Sequence, residues 1–129
     1  MWEELPSILR YPNFSKEEFD CSHTGNNEMR PEFLEMLQQL RTEYGKSMKI
    51  TSGYRYPEHP IERKKKSPGA HTTGLAADIA VDRGEAYEVL RIAMRMGFTG
   101  IGVQQKGGGR FLHLDFANHL VPRPTIWSY

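Results

Sequence analysis

Residues 98–116, FTGIGVQQKGGGRFLHLDF, constrain the fold more than any other stretch of this chain. Two runs of branched and aromatic residues flank the glycines of KGGGR. Glycine accepts the positive φ that a tight hairpin needs, so the runs predict antiparallel strands joined at that turn. Side chains in a strand alternate between faces. In RFLHLDF, Leu112, Leu114 and Phe116 therefore share one face, and Phe111, His113 and Asp115 share the other. The first set reads as core. The second places two ionisable groups side by side.

The rest of the chain supplies elements to cover such a hairpin. Phe33, Leu37, Leu40 and Tyr44 recur at helical spacing, which predicts a helix over 31–44 stopped by Gly45. MKITSGYR reads as a strand ending in a turn, and LAADIAV (75–81) as a second strand. Asp82 and Glu85 resemble a capping box opening a helix that runs to about Met96, with an apolar face of Ala86, Val89, Leu90, Ala93 and Met96. Ser15 is positioned to cap one or two helical turns in FSKEEFD, and CSHTGNNEM reads as a loop. Residues 56–75 hold three prolines and two glycines and predict a long irregular segment, the kind that commonly carries function. The tail LVPRPTIWSY is interrupted by prolines. Its Trp127 and Tyr129 are costly to leave in water, so it should pack back on the domain, as core or as the wall of a cleft. The expected fold is α+β: a small, mainly antiparallel sheet of four strands with two helices, in one domain spanning 1–129.

Composition excludes several classes. A chain of 129 residues with 38% hydrophobic and 26% charged residues suits one soluble core. A net charge of +1 argues against a dedicated nucleic-acid binder. The run ERKKK (62–66) reads as a solvated loop rather than a nucleic-acid or wall-polymer dock. Cys21 is the sole cysteine, so there is no internal disulfide, and Cys21 with His23 lacks the second pair that a further metal site would need. No apolar run approaches the roughly 20 residues that span a bilayer. No leader pattern is visible, which predicts synthesis in the cytoplasm.

The stretch GAHTTGLAADIAV (69–81) raises the chemical question. Asp78 shares a strand face with Ala76 and Ala80, whose small side chains leave room around a carboxylate. Burying a lone ionised carboxylate costs several kcal/mol unless it is paired or binds a metal. His71, His113 or an arginine could serve as partner. Two imidazoles and a carboxylate also make a catalytic zinc shell with a position open to water. Asp115, two residues beyond His113 on the same face, is the nearest carboxylate to accept a proton there. A single His–Asp pair, by contrast, is more often a structural hydrogen bond.

Three motifs together, SGYR (52–55), GAHTTGLAADI (69–79) and RFLHLD (110–115), resemble the M15 family of zinc DD-peptidases. These include D-Ala-D-Ala carboxypeptidases and phage or bacterial enzymes that cut peptidoglycan peptides, and their fold is shared with the hedgehog signalling domain. The likeness runs from about Phe14 to Phe116. It implies that His71, Asp78 and His113 bind Zn2+. It implies that Arg55 meets the substrate carboxylate or the carbonyl oxygen that gains charge. Asp115 is the expected catalytic base, or else a residue orienting a ligand histidine, and Glu62 is its substitute. His59, beside Arg55 in sequence, is expected in substrate binding or simply on the loop. Two departures stand out: Gly69 replaces a serine found in many relatives, and residues 107–110, where some relatives carry a catalytic acid, are Gly-Gly-Gly-Arg.

The expected function is hydrolysis of amide bonds in peptidoglycan stem peptides, by a monomer acting at the bacterial cell wall after phage- or lysis-type delivery, without nucleic-acid partners or a membrane span. The alternative is a metal-stabilised binding module of the same fold without turnover, which the missing upstream acid favours.

Overall fold

Among the described residues, five strands and two long helices form where local pattern and long-range pairing agree. The computed structural model describes residues 11–63 and 69–129. The strands are β1 (Lys49–Ser52), β2 (Ala76–Ala80), β3 (Gly100–Gln104), β4 (Phe111–Asp115) and β5 (Thr125–Ser128). The long helices are α1 (Pro31–Tyr44) and α2 (Arg83–Met96). The sheet order is β1-β2-β4-β3-β5, antiparallel except where β5 lies parallel to β3. The fold is thus α+β with a mainly antiparallel sheet, as the sequence predicts. The sheet has a fifth strand that the proline-broken tail did not announce.

Helix α1 starts with Pro31 at its first turn and ends at Gly45, whose φ of 77° is one that residues with a Cβ adopt with difficulty. Its Phe33, Leu34, Leu37 and Leu40 are buried. They face a layer made by Val89, Ile92 and Ala93 of α2 and by Ile50, Ile79, Ile101, Leu112 and Leu114 of the sheet. Each large side chain so buried is worth about 1.5–3 kcal/mol relative to exposure. Phe33, Phe98 and Phe116 pack their rings together at centroid distances of 5.5–6.2 Å.

The expected capping box of α2 does not form. Asp82 caps with its backbone, its carbonyl accepting from the amides of Glu85 and Ala86. Glu85 turns instead to α1, where it accepts a 3.0 Å bond from the Tyr44 hydroxyl. The tertiary partner wins over the local one. At the first helical turn, Lys16–Phe19, Glu18 does reach back to the Ser15 amide at 2.7 Å.

The segment predicted as irregular carries a single helical turn, Pro60–Arg63, and a 3-10 turn, Ala70–Thr73. Lys64–Lys66 of the basic run lie outside the described residues. The hairpin turn takes the predicted form, with Gly107 and Gly109 at φ of 66° and 63°. Among the described residues, no helix is long and apolar enough to cross a membrane.

The helices cover one face of the sheet. Strand registration then decides what the other face carries. Ser52, Asp78, His113, Gly102 and Trp127 are successive cross-strand partners, one from each of the five strands. The next row is Ala76, Asp115, Gly100 and Thr125. A polar face two rows deep is therefore laid across the middle of the sheet.

Candidate metal centre

Asp78 and His113 sit directly opposite one another on β2 and β4. His71 reaches them from the 3-10 turn that precedes β2, which is closed by Gly74 at φ 76°. A side chain at Gly74 would also run into the backbone of Glu28, so this glycine serves both the turn and a close approach. All three polar side chains are buried.

Their inner atoms converge. His71 Nε2 lies 3.2 Å from Asp78 Oδ1, His113 Nδ1 lies 3.0 Å from the same oxygen, and the two nitrogens are 3.2 Å apart. Their outer atoms are committed elsewhere. His71 Nδ1 donates to the Gly53 carbonyl at 2.7 Å, and His113 Nε2 donates to Asp115 Oδ2 at 2.5 Å. In a neutral imidazole only one nitrogen carries a proton. With both outer nitrogens donating, both inner ones present lone pairs, facing a carboxylate oxygen. Three electron-rich atoms so placed repel unless a cation or a proton sits among them.

The triangle also has the right size. A tetrahedral zinc with ligand bonds of about 2.0–2.1 Å sets its ligand atoms roughly 3.3 Å apart. The observed edges of 3.0–3.2 Å come close to that. His71, Asp78 and His113 could therefore hold a divalent ion.

Electrostatics agree. Burial pushes the Asp78 carboxyl up, but where a proton takes the cation's place the hydrogen bonds it allows from His113 and His71 outweigh burial and hold the group well below the usual carboxylate range. Burial pulls His113 down, but the bond to Asp115 and, for the protonated ring, the bond to Asp78 dominate and raise it. The pocket thus favours positive charge between the two carboxylates.

The motif SGYR contributes more than its arginine. A Cβ on Gly53 would lie 2.6 Å from the Phe19 Cα, so glycine is needed where the two backbones pass. That passage lets Tyr54 N–H bond the Phe19 carbonyl at 2.9 Å and aims the Gly53 carbonyl at His71. Arg55 follows, its amide donating to the His71 carbonyl at 3.1 Å.

A cavity of about 450 Å³ opens beside the cluster. Arg55, Ile61, Phe111, Arg123, Trp127 and Tyr129 line it together with the three clustered residues and Ala70. The tail therefore builds a wall of the cleft rather than core. Trp127 leans over Gly102 to place its ring 5.0 Å from that of His113. A Cβ on Gly102 would meet the indole at 2.7 Å.

Two expected site residues take the second of the placements that the sequence left open. Asp115 is fully buried and does not line the cavity. Its oxygens accept from His113, from both Nε and a terminal nitrogen of Arg123, and from the Ala117 amide. A carboxylate so enclosed cannot reach a substrate proton, and its geometry is that of a residue orienting a histidine. His59 does not line the cavity either. Its Nε2 lies 3.3 Å from the Ser22 hydroxyl, its Nδ1 accepts from the Ile61 amide at 3.1 Å, and its ring packs edge-on to His23. Glu62 follows the cavity-lining Ile61 in the same helical turn.

Sequence reasoning missed Arg123, Trp127 as a neighbour of His113, and the carbonyl of Gly53. Glycines in the middle of a strand, as at 100 and 102, are a general sign that something approaches closely. TGIGVQ carries that sign.

Taken together, fold and cluster define a small α+β protein with a two-histidine, one-aspartate candidate metal centre at the mouth of a cleft. The family description "Peptidase M15" matches residues 11–115, and the chain belongs to that family of peptidases. None of the curated proteins compared with it matches.

Proposed function

We propose that this chain is a zinc-dependent peptidase that hydrolyses amide bonds in peptidoglycan stem peptides. The observation that carries the proposal is the triangle of His71 Nε2, Asp78 Oδ1 and His113 Nδ1, with edges of 3.0–3.2 Å and both outer nitrogens already donating. Those three residues would hold the ion. When bound, zinc supplies a water acidic enough to ionise near neutral pH and a Lewis acid for the scissile carbonyl.

The protein's own residues do the rest. Arg55, on the cavity wall, receives the substrate's carboxylate or the carbonyl oxygen as it gains charge. Phe111, Trp127 and Tyr129 present apolar surface to the peptide and exclude water. Asp115 holds the proton on His113 Nε2 and thereby aims Nδ1 inward. Moving the proton from water to the leaving amine falls to another carboxylate, and Glu62 is our candidate.

The test is twofold. Purified protein should contain about one zinc per chain, lost in His71→Ala. Incubation with peptidoglycan from several wall types should release peptides whose masses name the bond. Zinc-loaded protein that cleaves none of them would favour the second reading, a metal-stabilised binding module. That reading draws on one observation: Asp78 is the only acidic residue among the described residues lining the cavity.

A further inference from the structure

The feature the function leaves unexplained is Arg123. It lies beyond residue 115, where the family match ends. Its side chain is more than nine-tenths buried, which for an arginine demands a partner. It grips Asp115 with two parallel bonds, Nε to Oδ1 at 2.7 Å and a terminal nitrogen to Oδ2 at 2.6 Å. Such forks fix a carboxylate in angle as well as in place. The guanidinium packs in turn against the Trp127 ring, 5.1 Å from its centroid.

The carboxylate has a seat prepared for it. Gly100 pairs with Asp115 across β3 and β4, and a Cβ there would fall inside the carboxylate. The gap lets Asp115 lie flat against the sheet between His113 and Arg123. One oxygen, Oδ2, is shared by His113 Nε2 and Arg123. The chain of contacts is therefore continuous: Trp127, Arg123, Asp115, His113, cluster.

We propose that Arg123 is a positioning residue for the candidate metal centre, acting through Asp115 to fix His113 in the tautomer whose Nδ1 is free to bind an ion. This rests on reading the cluster as a metal site. Without Arg123, Asp115 keeps only the imidazole and a 3.3 Å amide bond. A buried carboxylate that has lost its fork is no longer fixed in angle and is free to rotate. Rotation loosens its hold on the His113 Nε2 proton and lets the ring turn. Removing such supporting partners typically costs 10–100-fold in metal affinity.

The experiment measures zinc affinity by competition with a chromophoric chelator, for wild type, Arg123→Gln, Arg123→Lys and His71→Ala. Nitrogen NMR of the metal-free wild type reports the histidine tautomers directly. We expect neutral His113, above the pH at which it takes up a second proton, to carry its proton on Nε2. We expect Arg123→Gln to bind zinc 10–100-fold more weakly, and Arg123→Lys, which keeps the charge but not the fork, to fall between. The NMR readout needs no variant, so it stands even if Arg123→Gln fails to fold. A metal-free wild type with the proton on His113 Nδ1 would overturn the proposal. So would wild-type affinity in a folded Arg123→Gln or in Arg123→Lys, provided His71→Ala has lost its zinc. If wild type and His71→Ala take up zinc alike, the reading of the cluster itself fails, and the proposal falls with it.

Discussion

Gly100 and Gly102 lie two residues apart on one strand and one face, yet the same substitution should act very differently at the two. Neither has a positive φ, so alanine brings no backbone strain at either. At both positions alanine gains roughly 0.5–1 kcal/mol by losing less freedom on folding. At Gly102 the new methyl meets Trp127 Nε1 at 2.7 Å and the Tyr129 hydroxyl oxygen at 2.9 Å. Trp127 lies on the outermost strand of the sheet and Tyr129 directly follows it, so both can shift outward. The loss is one or two aromatic contacts, about 0.5–1.5 kcal/mol each, so the net effect runs from a gain of about 0.5 to a cost of about 2.5 kcal/mol. At Gly100 the methyl falls within the Asp115 carboxylate, which is fully buried and fixed by four hydrogen bonds. Making room means breaking the bond to His113 or the fork from Arg123. Breaking a buried charged pair costs about 3–5 kcal/mol, so the net cost is about 2–4.5 kcal/mol. For a chain of this length, that separates the melting temperatures of the two variants by roughly 5–15 °C. Urea titration and calorimetry of the metal-free proteins would measure it. Gly100→Ala should also weaken zinc binding, while Gly102→Ala should leave it within a few-fold. Equal destabilisation by the two substitutions would refute the idea that Gly100 exists to seat Asp115.

Other outcomes follow from the same geometry. Asp78→Asn or His113→Ala should abolish stoichiometric zinc, and zinc at 100 times its dissociation constant should then no longer raise the stability of the folded state, against about 2.7 kcal/mol in wild type. His113 is raised above its ordinary value by its bonds to Asp115 and Asp78, so a proton competes with the metal beyond the usual histidine range. Zinc affinity should therefore rise with pH and level off once pH passes the folded value of His113, and a flat profile from pH 6 to 8 would contradict this. Burial raises Asp115, but Arg123 and His113 outweigh it and hold the carboxyl well below the usual range. Its contribution is then fully present above the unfolded value near ~3.9 and lost as pH falls toward the folded one. Acid denaturation of the metal-free protein should be shallower in Asp115→Asn than in wild type. Phe33→Ala, removing a fully buried ring from the Phe33–Phe98–Phe116 cluster, should cost about 3–5 kcal/mol by urea titration while sparing zinc binding in the folded fraction.

Local pattern carried most of the fold. Both long helices announced themselves by spacing and by the glycines at 45 and 97, and the hairpin by its turn. Alternation along β4 alone places His113 and Asp115 on the polar face. That His71, Asp78 and His113 converge was legible because strand pairing and the M15 likeness both demanded it. The fifth strand was not legible, because its parallel pairing to β3 depends on a partner more than 20 residues upstream, and two prolines obscure its start. Arg123 was hidden for the same reason. For Asp115 the choice between base and histidine-orienting residue stayed open in the sequence, because strand alternation gives the face of a residue but not which neighbour will occupy its oxygens. His59 stood near Arg55 in sequence, but the turn between them sends its ring to Ser22 and His23.

The pairing of Asp78 directly against His113 has a further consequence during folding. A slip of one residue between β2 and β4 would send the histidine to the helix side and leave leucines in the solvent. Such a chain could still collapse, but it could not grasp an ion at three points. Metal uptake would then act as proofreading for the sheet, rewarding only those molecules whose central strands have met in step.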